Sequence, residues 1–285
     1  MLRAFFRLSR PHFLLGGALL YGVGAASAPT FHLGWFLIGQ AMVTAIQLTA
    51  HYANEYFDRE ADRLISNRTF FSGGSGVISS GQLRPSVALN AARGCSLVAG
   101  VMAVFFLTSR PQAGLIGMVG LAVAWSYSAP PLRLLGTGWG ELVTSLTTAA
   151  MLPFAGAFVQ GGVVGAELLW AAGALVPLHI AMMLAFELPD LDSDRIAGKL
   201  VLGVRLGRAR SLGLMVGLLV LSGLVVLVGL ALESLPSQAR WAALAIVPAA
   251  ITVTAAKRGA HGASTTAAVT TIGVVAVALI VALAG

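Results

Sequence analysis

Residues 211–232 read SLGLMVGLLVLSGLVVLVGLAL, a run without a single charged side chain. Coiled as an α-helix at about 1.5 Å of rise per residue, it is long enough to cross the ~30 Å hydrocarbon core of a bilayer. Working outward, further apolar stretches recur at 12–28, 33–53, 86–108, 113–128, 141–160, 168–187, 240–256 and 263–284. The composition agrees, with 57% of the 285 residues hydrophobic and 10% charged, where a soluble domain carries roughly 25% charge. Such a chain is neither an ordinary soluble domain nor disordered, and its 34 glycines lack the three-residue period of collagen. The expectation is an all-α polytopic membrane protein, one domain over 1–285, with nine transmembrane helices in a single bundle.

The charges orient it. If the N-terminus lies inside, the connections 54–85, 129–140, 188–210 and 257–262 also lie inside. Together with Arg3, Arg7 and Arg10 they collect most of the 18 basic residues. Arg110 and Arg240 fall outside, and Arg93 sits within a span from which it can snorkel. The net charge of +7 therefore reads as the positive-inside rule and not as a nucleic-acid surface. The C-terminus is expected on the opposite side. Cys95, the single cysteine, offers no intrachain disulfide or metal cluster and reads as a small apolar side chain within a span.

Eight of the 11 acidic residues form two clusters on the predicted inner side: Glu55, Asp58, Glu60, Asp62 and Glu187, Asp190, Asp192, Asp194. On a continuous helix Asn54, Asp58 and Asp62 share one face, as do Asp190 and Asp194, while Asp192 lies off it. Stacked carboxylates repel unless a cation joins them. Mg2+, which takes one or two carboxylates and completes its sphere with phosphate oxygens, is the expected cofactor. Asp190-x-Asp192-x-Asp194 is not a calcium loop, because Arg195 stands where that loop needs glycine and Val201 where it needs glutamate. With Arg195 and Lys199 just beyond the second cluster, the set would hold a metal-bound diphosphate, and a diphosphate carried into an apolar bundle belongs to a lipid. The clusters lie nearly half the chain apart, which suggests two similar four-helix units plus a final helix.

These motifs resemble the UbiA superfamily of intramembrane prenyltransferases. The first is Asn54-x-x-x-Asp58-x-x-x-Asp62. The second is Asp190-x-x-x-Asp194, followed by Gly198-Lys199 and Val204-Arg205-Leu206-Gly207. Between them, Tyr127-Ser128-Ala129-Pro130-Pro131-Leu132-Arg133 and Gly138-Trp139-Gly140-Glu141 look like the middle cytoplasmic connection. The resemblance implies a bundle with a central cavity open to lipid and Mg2+-dependent transfer of an isoprenyl chain from a polyprenyl diphosphate to an aromatic acceptor. It further implies that Asp58, Asp62, Asp190 and Asp194 bind metal, with Asn54 as ligand or orienter. Lys199, Arg63 and Arg133 would contact diphosphate, and Tyr127 or Tyr56 would shield an allylic cation.

Within that superfamily, Phe186-Glu187-Leu188-Pro189-Asp190 and the stretch from Asn67 to Gly76 look most like the 1,4-dihydroxy-2-naphthoate polyprenyltransferase branch of menaquinone synthesis. 4-Hydroxybenzoate or another aromatic or lipid is the alternative acceptor. Membrane lipids are expected around the bundle, and neither nucleic acid nor a protein partner is called for. Glu141 and the histidines His12, His51 and His179 are candidate bases or packing groups. Gly73-Gly74-Ser75-Gly76 lacks the Gly-Lys-Ser/Thr ending of a nucleotide loop and reads as a lid or a tight turn. A secondary transporter is the non-enzyme alternative, although its charges would tend to lie at mid-span and not at helix mouths.

Overall fold

The computed structural model describes residues 1–65 and 68–285, and among these every regular element is helical. Asn67, part of the stretch that suggested the acceptor branch, lies outside the described residues. A short α1 (Leu2–Ser9) ends at Arg10, whose left-handed backbone (φ 46°) turns the chain into α2 (Pro11–Ala26). Then come α3 (Leu33–Phe57), the single turn α4 (Arg59–Asp62), α5 (Pro85–Ser109) and α6 (Pro111–Ser128). The second half holds α7 (Gly140–Val159), α8 (Ala166–Glu187), the short α9 (Leu191–Ile196), α10 (Leu202–Ala231), α11 (Ser237–Lys257) and α12 (His261–Leu283). Proline opens α2, α5 and α6, where its missing N–H has no helical partner to lose and its φ is already set.

Seven of these helices, α3, α5, α7, α8, α10, α11 and α12, are long and apolar enough to cross a membrane. The remaining expected spans, 12–28 and 113–128, are also helical, but α6 has 18 residues and α2 has 16, about 24 Å of rise. Length and composition together thus mark seven crossings among the described residues, and α2 and α6 are the two expected spans outside that set. Both short helices are nevertheless built into the bundle, α2 against α3, α7 and α12, and α6 against α3 and α5. Large apolar side chains such as Leu97, Leu227 and Val247 stand 63–70% exposed. In water they would be a liability; in hydrocarbon they are the solvent-facing surface.

Small residues let the helices close up. A Cβ on Gly24 of α2 would fall 1.5 Å from the Pro153 carbonyl oxygen of α7, and one on Gly156 would fall 2.1 Å from the Tyr21 oxygen. The two helices therefore touch backbone to backbone, as membrane helices do where side chains are absent. Just before that contact α7 widens into a π-helical turn, Thr147–Met151, which relieves the clash of the Pro153 ring with the preceding turn.

The sequence leads one to expect Asn54, Asp58 and Asp62 on one continuous helix. Instead α3 stops at Asp58 (φ −95°, ψ 2°) and restarts as α4. Asp190 breaks the chain in the same way (φ −105°, ψ 2°) between α8 and α9. The first aspartate of each pair thus sits in a turn between two helices and the second at or near the end of the following one. A third break, at Gly207 (φ 74°, ψ 162°), separates the first turn of α10 from its long apolar run; that backbone conformation costs glycine little.

Candidate active site

Four aspartates from the two halves of the chain meet at one end of the bundle. Asp58, Asp62, Asp190 and Asp194 are all buried, and Lys199 stands between the pairs, its Nζ 3.6 Å from Asp58 Oδ2 and 3.9 Å from Asp194 Oδ1. Asn54 Nδ2 donates to Asp58 Oδ2 at 2.5 Å and to Ser128 Oγ at 3.1 Å, which fixes the Asp58 carboxylate against the end of α6. Burial pushes the Asp62 carboxyl up to about 6, offset in part by Arg10 and Lys199. Burial, together with the like charge of Asp194, pushes Asp190 up to about 7. Asp58 and Asp194 are raised by burial as well, with Lys199 pulling each back. Lys199, with Arg10, Arg133 and Arg68 nearby, does not offset the burial of the four carboxyls, all of which stay raised.

Among the described residues, no three His, Cys, Asp or Glu side chains form a group that could hold a metal ion by themselves. The donors come as two pairs. Asp190 Oδ1 is buried with no hydrogen-bond partner, an acceptor that fits a role as ligand to a hard cation. Hard carboxylate oxygens in pairs suit Mg2+, which keeps open positions for water and phosphate, better than they suit a cation that needs a full protein cage.

A polar cavity of about 230 Å3 opens on this end, lined by Asp58, Tyr127, Arg133, Thr137, Gly198 and Lys199. Tyr127 and Arg133 are thus brought to the carboxylates, Arg133 from a left-handed backbone position (φ 42°). An apolar cavity of about 470 Å3, lined by Leu19, Trp241, Leu244 and Val274, lies apart from it between α2, α11 and α12. The two cavities share no lining residue. Beside the mouth, His12, Phe13, Phe70, Phe71 and Phe186 pack ring on ring; Phe71 and Phe186 are stacked at 6.0 Å.

Other expected site residues point elsewhere. Arg63 is exposed and pairs with Glu60 at 2.7 Å, because the end of α4 turns it outward. Arg59 covers the ring of Tyr56 at 4.9 Å. Asp192 is exposed beside Arg195, in keeping with its position off the shared face. His51 Nδ1 is engaged by the Ser9 carbonyl and His179 Nδ1 by Ser145 Oγ.

Residues outside the motifs complete the mouth. Arg10 pairs with the buried Glu55, whose oxygens also accept the Ser75 N–H at 2.6 Å and the Ser75 hydroxyl at 2.8 Å. Arg68 donates to the Asp62 carbonyl and, at 2.7 Å, to the Gly73 carbonyl. The Gly73–Gly76 segment is thus strapped down over Asp62. Arg10 and Arg68 read in the sequence as generic inner-side charge; only Arg68, six residues after Asp62, carried a signal in its closeness to an acidic cluster.

A model of the UbiA prenyltransferase family matches residues 14–272. The 1,4-dihydroxy-2-naphthoate octaprenyltransferase of Mycobacterium tuberculosis is 29% identical over 214 residues, 73% of this chain and 70% of that protein. Among solved structures, a UbiA homolog from Aeropyrum pernix K1 superposes with a TM-score of 0.74 at 18% identity, covering 95% of this chain and 98% of that one. A UbiA homolog from Archaeoglobus fulgidus bound to GPP and Mg2+ superposes at 0.67 and 17% identity, with 98% of each chain covered.

Proposed function

This chain belongs to the UbiA prenyltransferase family, and from that premise we propose that it moves an isoprenyl chain from an allylic polyprenyl diphosphate to 1,4-dihydroxy-2-naphthoate. That it is a membrane-embedded prenyltransferase follows from the family and from the apolar helices. The naphthoate acceptor is supported by the name of the Mycobacterium tuberculosis relative. The observation that carries the mechanism is Lys199 Nζ set between Asp58 and Asp194.

Asp58 and Asp62 on one side and Asp190 and Asp194 on the other would hold Mg2+, with Asn54 orienting Asp58 as it does here. Bound there, the metal supplies positive charge to the diphosphate oxygens as the allylic carbon–oxygen bond breaks. Lys199 contributes a mobile point charge to the same oxygens, and Arg133, across the polar cavity, contributes a second. Tyr127, on the same cavity wall, presents an aromatic ring where the carbon loses its electron pair to the leaving diphosphate. Attack by the naphthoate ring and loss of its carboxyl as carbon dioxide complete the transfer. Arg63, turned outward, has no part in this scheme. The mouth and N-terminus face the cytoplasm on the positive-inside rule, with α2 and α6 as the eighth and ninth crossings.

Purified protein with MgCl2, an allylic diphosphate, dihydroxynaphthoate and 4-hydroxybenzoate tests the reading, with products resolved by mass. Prenylated, decarboxylated naphthol and diphosphate are expected, and Asp58→Asn or Asp190→Asn should remove both. Alkylation of 4-hydroxybenzoate alone would overturn the acceptor and leave the family chemistry standing.

A further inference from the structure

The end of the bundle that carries the carboxylates also gathers cations that no acid neutralises. Several basic side chains at this end are engaged: Arg10 with Glu55, Arg63 with Glu60, Arg195 with Asp192 and Lys199 with Asp58. Arg208 and Arg210 on α10, and Lys257 and Arg258 at the end of α11, are all exposed. Among the described residues none of them forms an ion pair. The sequence holds no counter-charge for them either, because the only acid between 195 and 285 is Glu233, just past the opposite end of α10.

Two contacts bring these cations together. α10 and α11 pack against each other, and the Arg208 guanidinium donates to the Ala256 carbonyl at 2.8 Å, next in the chain to Lys257 and Arg258. Beyond the charges both helices turn apolar side chains outward. Leu214 and Leu221 follow Arg210 by four and seven residues, which keeps them on its face of α10. Ile251 and Val247 precede Arg258 by seven and eleven residues, two and three turns along α11. All four are exposed. Each helix therefore presents a cation at its end and a stripe of hydrocarbon leading away from it.

We propose that this face of α10 and α11 is a docking surface for an anionic phospholipid, with the headgroup phosphate among Arg208, Arg210, Lys257 and Arg258 and the acyl chains along the two apolar stripes. Charge complementarity selects the occupant. A zwitterionic lipid would bring its own cation up against these, whereas phosphatidylglycerol brings a net negative charge alone. Free phosphate would meet the cations and leave the stripes unused. Arg208 uses one N–H on Ala256 and keeps others for phosphate oxygens. None of these residues lines the polar cavity, so the surface stands apart from the diphosphate chemistry and from the choice of acceptor.

Photo-crosslinking tests this on the full-length protein in phosphatidylcholine vesicles. Matched vesicles carry a trace of phosphatidylglycerol or of phosphatidylcholine bearing the same photoactivatable acyl chain, and peptide mass spectrometry maps the adducts. One cation near a membrane surface is worth about fivefold in affinity for anionic lipid, so the phosphatidylglycerol probe should label residues 211–221 and 246–256 at least that much more than its counterpart does. In Arg210→Gln/Lys257→Gln/Arg258→Gln the two probes should come within about twofold of each other. Arg3→Gln/Arg84→Gln/Arg93→Gln removes as much charge from elsewhere in the chain and should keep the preference.

Equal labelling by the two probes in the unaltered protein overturns the proposal, and so does a preference that survives the first triple variant or is lost in both. Inorganic phosphate at matched ionic strength should leave the preference standing; its abolition would show that the surface takes phosphate and not lipid. If the first triple variant does not reconstitute, Arg210→Gln and Arg258→Gln decide singly. Each should lower the preference severalfold, and a preference unchanged in both overturns the surface.

Discussion

Lys199 Nζ lies 3.6 Å from Asp58 Oδ2, although one belongs to the strap after α9 and the other ends α3. The lysine therefore ties the two halves of the chain together across the mouth. With its side chain 14% exposed and the Asp58 side chain 4%, little water screens the pair.

Replacing Lys199 by methionine keeps the length and removes the charge. Loss of a charge-assisted contact to phosphate is worth about 1.5–3 kcal/mol, so kcat/KM for the allylic diphosphate should fall roughly 10- to 100-fold. Arginine should restore only part of it, since a planar fork does not fit where a point charge does. Steady-state kinetics on both variants measure this.

Gly74 (φ 72°) would place a Cβ 2.3 Å from Asp62 Oδ2, whereas Gly81 (φ 74°) has open space around it. Both alanine variants bear a left-handed backbone cost of about 1–2 kcal/mol. Gly74→Ala must in addition displace Asp62. Gly81→Ala should lower the melting temperature with turnover intact, and Gly74→Ala should lose turnover beyond its loss of stability. Equal turnover in the two would separate the glycine strap from the chemistry.

Arg10→Ala leaves the buried Glu55 carboxylate with Ser75 alone as donor. Removing one partner of a buried ion pair costs about 3–5 kcal/mol. The variant should melt well below the parent and become open to proteolysis between residues 68 and 81. Fragment mapping after brief digestion would show this, and unchanged cleavage would refute it.

At the far crossing, Gly24→Val has no room against the Pro153 carbonyl. Overpacking of this kind costs about 1–3 kcal/mol or more, and here the obstacle is backbone, which cannot rotate away. The variant should fail to yield a monodisperse peak on size exclusion, while Gly16→Val, with nothing near its Cβ, should behave like the parent.

The sequence makes the helices legible because hydrocarbon imposes long apolar runs, and it makes the aspartates legible because charge is so scarce here that clusters stand out. It does not show where those aspartates interrupt the helices. At the break at Asp58, Asn54 bridges the Asp58 carboxylate and Ser128, a long-range contact that leaves no periodic trace. Nor does it separate Arg10 from Arg63: Arg63 stands beside Asp62 in the sequence yet turns outward to Glu60, while Arg10, 45 residues from the first acid, pairs with the buried Glu55. Glu55 and Glu187 were counted with the acidic clusters; each lies three residues before the first aspartate of its pair and holds backbone instead, Ser75 in one case and Gly203 in the other. The short α2 is legible as apolar but not as a partner of α7, because a glycine records that something comes close without recording what.

The contact of Gly24 with α7 lies at the end of α2 remote from Arg10 and the carboxylates. Along that seam peptide meets peptide, with no width for an isoprenoid tail or a file of water between α2 and α7. That crossing is therefore no passage from the charged rim to the other face of the bundle. A charged diphosphate, which hydrocarbon rejects, has the rim on its side of that seal, and an apolar chain has the lipid-facing wall.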